Sequence, residues 1–166
     1  MEINDLINKF SDTPEKQCKA IFNTLFIVTN KLQTTFDQHI PDITLKQFML
    51  LTLIKQSSQP LTLTQLGELL GCSRQNVKKL ATILEKKGFV KIKSNQFKTK
   101  GVLIEPTKKM KDYFNNDFVK FEAELKYLFA NYTKEEINQL FILMMKLYPG
   151  INNLKEKIAN DKRGLK

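Results

Sequence analysis

Between Arg74 and Lys79 the chain reads RQNVKK, and five of the six side chains could do one kind of chemistry, the recognition of a polyanion. The guanidinium of Arg74 and the carboxamides of Gln75 and Asn76 are able to make paired hydrogen bonds to base edges, whereas Lys78 and Lys79 are point charges suited to phosphate. Ser73, just before them, is placed to cap the helix that would carry them. Val77, Leu80, Ala81 and Leu84 recur at helical spacing, so that helix should turn them to a core and leave the polar side chains outward.

Charge is gathered around the same residues. From Cys72 to Lys111 there are 12 lysines and arginines against Glu85 and Glu105, which equals the whole formal charge of +10; the rest of the chain is balanced at 15 basic and 15 acidic residues. Such a patch is the footprint of a nucleic-acid-binding surface, because each lysine docked on a phosphate releases condensed counterions. A solvated lysine face is the alternative, and the balance elsewhere in the chain speaks against it.

No comparable grouping supports catalysis or metal binding. His39 is the only histidine, Cys18 and Cys72 fit no metal-ligand spacing, and GxSxG, P-loop and GxGxxG patterns are absent. The sequence therefore predicts no enzyme, no cofactor and no metal. It has no run of 18 apolar residues for a membrane span, and MEINDLINKF lacks the basic and apolar regions of an export signal. With only two cysteines a disulfide framework is not expected, and the cytoplasm is the predicted setting.

The elements that must hold the RQNVKK stretch can be read from caps and breaks. Thr62 with Gln65 forms a capping box, with Leu61 and Leu66 as its staple, and Gly71 ends the helix it opens. Only Gly71 and Cys72 separate that helix from the next, so the two must meet steeply, as in a helix-turn-helix. Gly88 closes the second helix. Then Phe89, Val90 and Ile92 alternate with lysines, and Val102, Leu103 and Ile104 return as a second strand. This predicts a β-hairpin, or wing, with Lys93 on its strand and Lys98 and Lys100 near its tip.

The flanks read as helices. Residues 1–12 suggest a short one, and Thr13-Pro14 opens a long one to about Gln38 with a broad apolar stripe that includes Cys18, Phe22 and Phe26. Pro41 interrupts it. Thr44 and Gln47 form a second capping box, opening a nearly all-apolar helix expected to be the buried spine. Beyond Pro106 a helix is expected from Thr107 to about Asn131, and another after the Thr133–Glu136 capping box, broken or kinked at Pro149-Gly150 with a fraying tail. The expected architecture is mainly α, in regions 1–40, 41–106 and 107–166 of one intertwined domain. Its apolar stripes exceed what a small domain can bury. Phe22, Phe26, Phe118, Leu140, Phe141, Met144, Leu147 and Tyr148 therefore read as a homodimer seam, with a larger intrachain helical layer as the alternative.

This order of elements resembles the MarR (multiple antibiotic resistance regulator) family of dimeric winged-helix transcription regulators. The resemblance covers about residues 14–148 and is strongest at LTLTQLGELLGCSRQNVKKLATILEKKGFVKI. It implies that Ser73 to Lys79 enter the major groove, with Arg74, Gln75, Asn76 and Lys78 nearest the bases, and that a homodimer meets a pseudo-palindromic operator in double-stranded DNA. It also implies a sequence-specific regulator, more often a repressor, released by a small aromatic or anionic effector held between the dimer helices and the winged-helix region. Phe22, Phe26, Phe48, Met49 and Phe114 are the candidate pocket residues, though residues of this kind are more often plain core.

The chain departs from the family in two places. Typical wings carry an Asp-Arg-x-x-Arg-Arg run, but Ser94 to Lys100 contains neither Asp nor Arg, so lysine contacts to the DNA backbone are expected there. The usual Leu-Thr-x-x-Gly after the wing is replaced by Glu105-Pro106-Thr107-Lys108-Lys109. Cys18 lies where a redox-sensing branch of the family places its reactive cysteine, but phenylalanines stand where that branch has tyrosines, and apolar surroundings make a thiol inert. Cys72 reads as a small buried apolar residue. A different class of function, a protein-interaction module whose basic patch touches nucleic acid non-specifically, uses the same fold.

Overall fold

The computed structural model describes residues 3–10, 12–95 and 101–164 and divides into two compact units, Met1–Phe118 and Val119–Lys166. In the first unit α1 (Ile3–Phe10) precedes α2 (Pro14–His39), whose cap Thr13 accepts a bond from the Lys16 amide with Pro14 in the first turn. Proline suits that position because its missing N–H would be unpaired there in any case. Asp42, at φ 70°, turns the chain into α3 (Leu45–Gln56). The expected capping box is present: Thr44 Oγ1 accepts from the Gln47 amide, and Gln47 Oε1 accepts from the Thr44 amide. Leu50 and Leu51 are fully buried, so α3 is the spine that its composition predicts.

The helix-turn-helix is α4 (Leu63–Leu70) followed by α5 (Arg74–Lys86), and the wing is β2 (Val90–Asn95) paired antiparallel with β3 (Gly101–Pro106). The sheet has a third strand that the sequence reading omits. It is β1 (Leu61–Thr62), hydrogen-bonded to β3 with Leu61 opposite Ile104, giving the order β1-β3-β2. Two residues are too few to show alternation, and both already serve as staple and cap of α4. The core beneath these elements is Leu50, Leu51, Leu66, Val77, Ala81, Leu84 and Ile104, all at 0% exposure. Complete burial of a leucine side chain is worth ~1.5–3 kcal/mol, so this layer fixes how α5 and the wing sit on α3.

The single helix expected after Thr107 is not continuous. It begins as α6 (Lys108–Asp112), capped by Thr107, and widens into a π-helical turn over Tyr113–Asp117, where the Phe118 amide reaches back five residues to Tyr113 O. The wide turn lets Tyr113 meet Phe89 edge-on at 5.5 Å while Phe114 and Phe118 both reach Phe48, at 5.8 and 4.3 Å between ring centres. Aromatic packing thus outweighs regular helical pairing.

The second unit follows α7 (Phe118–Glu122), which spans the division. It holds α8 (Leu125–Leu128), α9 (Lys134–Met145) and α10 (Leu147–Gly164). Between Phe121 and Tyr132 the backbone tightens into three-residue bonds, such as the Glu124 amide to Phe121 O at 3.0 Å. The apolar side chains here are largely exposed, so little packing within the unit supports a longer helix. The Thr133–Glu136 capping box opens α9 as expected. The break near Pro149 falls at Lys146, because a proline ring clashes with the carbonyl four residues earlier, and Met145 is the last residue of α9. Pro149 itself sits in the first turn of α10, where its missing donor costs little, and the expected frayed tail is helical to Gly164.

Candidate nucleic-acid interface

The turn before α5 is fixed by local chemistry. Gly71 takes φ 67°, a left-handed conformation that glycine adopts without strain, and the Cys72 amide bonds to Gly67 O at 2.9 Å. Gly67 is buried against this turn. A Cβ there would stand 2.8 Å from Cys72 O, a backbone atom that cannot move aside. Ser73 Oγ then accepts from the Asn76 amide at 3.2 Å, opening α5 as expected.

Val77, Ala81 and Leu84 anchor the inner face of α5, and Leu80 is half-buried. Ser73, Arg74, Gln75, Asn76, Lys78 and Lys79 are all exposed. The first turns of α5 thus present a guanidinium, two carboxamides and two ammonium groups on a helix whose other side is immobilised. No carboxylate lies between Ser73 and Lys79 to compete for an anion.

The structure divides the remaining basic residues by what holds them. Lys87 Nζ donates to Asp42 O and to Oε1 of buried Gln47, the latter at 3.3 Å, and so joins the end of α5 to the start of α3. Lys109 Nζ donates to Lys87 O at 2.9 Å and lies 4.8 Å from the Phe89 ring centre. Lys93, a candidate wing contact, pairs with Glu105 on the neighbouring strand at 2.7 Å. This pair is exposed enough to be weak, and Lys93 can leave it for a phosphate at small cost. Glu85 accepts from the Ile92 amide at 2.7 Å, so the end of α5 steadies the first wing strand. Lys98 and Lys100 lie outside the described residues.

Sequence reasoning did not find these positioning roles for Lys87, Lys109, Glu85 and Gly67. Only Gly67 had a signal: a glycine inside a helical pattern marks a close backbone approach.

Other candidates fall as follows. Phe22 and Phe26 touch each other at 5.0 Å and are each 60% exposed, and Met49 is exposed as well. Phe48 lies in an aromatic cluster with Phe36, Phe114 and Phe118, and Phe114 is buried. Phe114 borders a cavity of about 410 Å³. Leu140, Phe141, Met144, Leu147 and Tyr148 are exposed within this chain, and Phe118 is half-buried. Cys18 is exposed and Cys72 half-buried, both as free thiols. Tyr113 is buried with no hydrogen-bond partner for its hydroxyl among the described residues. Burial, and then the nearby Asp117 and Asp42 carboxylates, pushes its pKa up to about 12. Among the described residues no group of side chains could hold a metal, and no helix is long and apolar enough to cross a membrane.

A capped helix-turn-helix, an outward polar face on its second helix and an adjoining three-stranded sheet define a winged helix-turn-helix protein. The model of the MarR family matches residues 43–95, the segment from the α3 cap to the end of β2. Solved MarR-type structures share the fold over most of the chain. A MarR protein from Peptoclostridium difficile is 21% identical with a TM-score of 0.73, covering 83% of this chain and 91% of its own. An Escherichia coli MarR mutant complexed with operator DNA is 21% identical with a TM-score of 0.69, covering 82% and 99%. A MarR/EmrR family transcriptional regulator from Acinetobacter is 20% identical with a TM-score of 0.68, covering 85% and 99%. No curated protein sequence matches the chain. The family model thus covers the helix-turn-helix and the first wing strand, and the solved structures show that most of the chain shares their fold.

Proposed function

We propose that the protein is a dimeric, sequence-specific DNA-binding regulator that represses transcription from a pseudo-palindromic operator and releases it when a small effector binds. The observation that carries this reading is the exposed Arg74, Gln75 and Asn76 on the face of α5 opposite its fully buried side. A lysine patch alone attracts any polyanion. Donors and acceptors held on a rigid helix add the means to tell one base pair from another. Lys78 and Lys79, with Lys98 and Lys100 of the wing, supply the sequence-independent attraction. The operator-bound E. coli relative supports the same use of the fold. A second copy of the chain would cover the exposed apolar residues of α2 and α9 and set the spacing of two recognition helices along the duplex.

The test is fluorescence anisotropy with the gene's own upstream DNA and with a scrambled duplex, over a salt series. Preference for the upstream DNA by about 10³-fold or more, persisting near physiological salt, is the expected result. Replacing Arg74 and Asn76 by Ala should reduce that preference, whereas Lys98→Ala with Lys100→Ala should weaken both duplexes and flatten the salt dependence. Equal, steeply salt-sensitive binding to both duplexes, and to sequences selected from a random pool, would overturn base reading and favour the interaction-module alternative.

A further inference from the structure

The basic segment from Cys72 to Lys111 contains only two acids, Glu85 and Glu105, and both are tied to the same short stretch of β2. Glu105 pairs with Lys93, and Glu85 Oε1 accepts from the Ile92 amide at 2.7 Å. A carboxylate on a surface that attracts phosphate works against that attraction. What Glu85 contributes must therefore lie in what it holds.

The register of the hairpin leaves the Ile92 amide open to it. The Thr107 amide bonds to Phe89 O at 3.1 Å, and opposed residues of an antiparallel pair alternate between bonded and unbonded positions. Lys91 opposite Glu105 and Lys93 opposite Leu103 therefore bond across to β3, while Ile92 opposite Ile104 turns its N–H away. β2 is an outer strand in the order β1-β3-β2, so that N–H faces the edge of the sheet. Glu85 is the next-to-last residue of α5, and the chain turns back at once, with the Phe89 amide still bonded to Leu84 O at 2.9 Å. This tight exit brings the carboxylate to the outer edge of β2. Lys91 and Lys93 flank Ile92 and are both exposed, whereas Ile92 is half-buried, so the two lysines share the face opposite to it. The bond from Glu85 fixes the one residue between them against the helix that carries Arg74 to Lys79.

We propose that Glu85 is a positioning residue for nucleic-acid binding: its carboxylate holds β2 at the angle to α5 at which Lys91 and Lys93 reach the phosphates of the duplex that α5 enters. The proposal rests on the reading of this face as a DNA surface, and within it on phosphate attraction rather than base reading. Its mark is the sign of the effect. Removing an acid from such a surface strengthens attraction to phosphate, whereas losing this acceptor weakens binding.

Glu85→Gln and Glu85→Ala remove the same charge, but only glutamine keeps a side-chain oxygen that can accept from Ile92. With the scrambled duplex, Glu85→Gln should bind at least as tightly as the parent. Glu85→Ala should bind about tenfold or more weakly than Glu85→Gln, with a shallower salt dependence because phosphate contacts are lost. When Lys91 and Lys93 are both replaced by Gln, the difference between the two variants should vanish, which a general loss of stability would not produce. A measurement without DNA separates the wing contact from the DNA reading: the Ile92 amide should exchange with solvent at least about tenfold faster in Glu85→Ala than in the parent, and near the parent rate in Glu85→Gln. Equal exchange in all three proteins overturns the proposal, because the bond then holds nothing. Altered exchange with equal DNA binding by the two variants overturns it as well, since the wing would be held without being aimed. A parent protein that binds no duplex, with the exchange difference intact, would remove the DNA reading and the positioning role together while leaving the wing contact standing.

Discussion

Tyr113 shows how one side chain can carry a cost that its aromatic packing offsets. Its ring packs on Phe89 and Phe114, yet its buried hydroxyl has no described partner and its pKa is pushed up to about 12. In the unfolded chain the phenol should ionise at its ordinary value near 10, while in the folded protein it stays neutral until about 12. Both states hold the proton below pH 10, so the stability the neutral phenol supports is fully present there; it is lost as the pH rises from 10 through 12. Tyr113→Phe should therefore flatten the fall in stability over that interval. At pH 7 it should be neutral or stabilising, because it removes an unsatisfied hydroxyl while keeping the ring. Urea denaturation of both proteins across that range is the check, and an identical alkaline decline would show that Tyr113 is not its source. Residue roles of this kind were hard to read beforehand. Tyr113 was one aromatic among many in the stretch after Thr107, and Lys87 and Lys109 counted as patch charge until folding placed them on carbonyl oxygens.

Among the elements, the turn between α4 and α5 is the most sensitive. Gly67→Ala would force a Cβ to within 2.8 Å of Cys72 O, and relief requires α4 to move away from the turn that aims α5. Overpacking of this sort costs ~1–3 kcal/mol. If α5 reads DNA as proposed, we expect a lower melting temperature and a loss of DNA affinity larger than the fraction unfolded explains, because α5 is displaced even in folded molecules. Normal operator binding by folded Gly67→Ala protein would show that the turn tolerates the shift. Ser73→Ala tests the same joint more gently, since loss of the cap bond to Asn76 costs ~1 kcal/mol without introducing a clash. These helices were legible because each begins with a side-chain oxygen three residues from the amide it accepts, at Thr13, Thr44, Thr62, Ser73 and Thr133. The exceptions have physical causes. β1 is defined by its partner strand rather than by its own two residues, and the π-helical turn answers to rings supplied by α3 and the residue before β2.

For the whole molecule, the second unit leaves a large share of its apolar side chains exposed within the chain. Phe141 is 60% exposed and Tyr148 66%, with Ile137, Leu140, Met144 and Leu147 also exposed within the chain. A contiguous surface of this kind is a partner face or an aggregation hazard. The proposed regulator needs the first, because two half-sites are read together only when two recognition helices are joined. Replacing Phe141 and Met144 by Asp puts charge where a partner's apolar side chains would otherwise pack. If the seam lies there, sedimentation velocity should show a monomer at concentrations where the parent protein is dimeric. Each winged-helix region should remain folded, since its buried core is contained in the first unit. Binding to a single half-site should then persist weakly, while the extra affinity for a two-half-site operator disappears. A double variant that sediments like the parent would move the interface off α9, leaving Phe22 and Phe26 of α2 as the next residues to substitute.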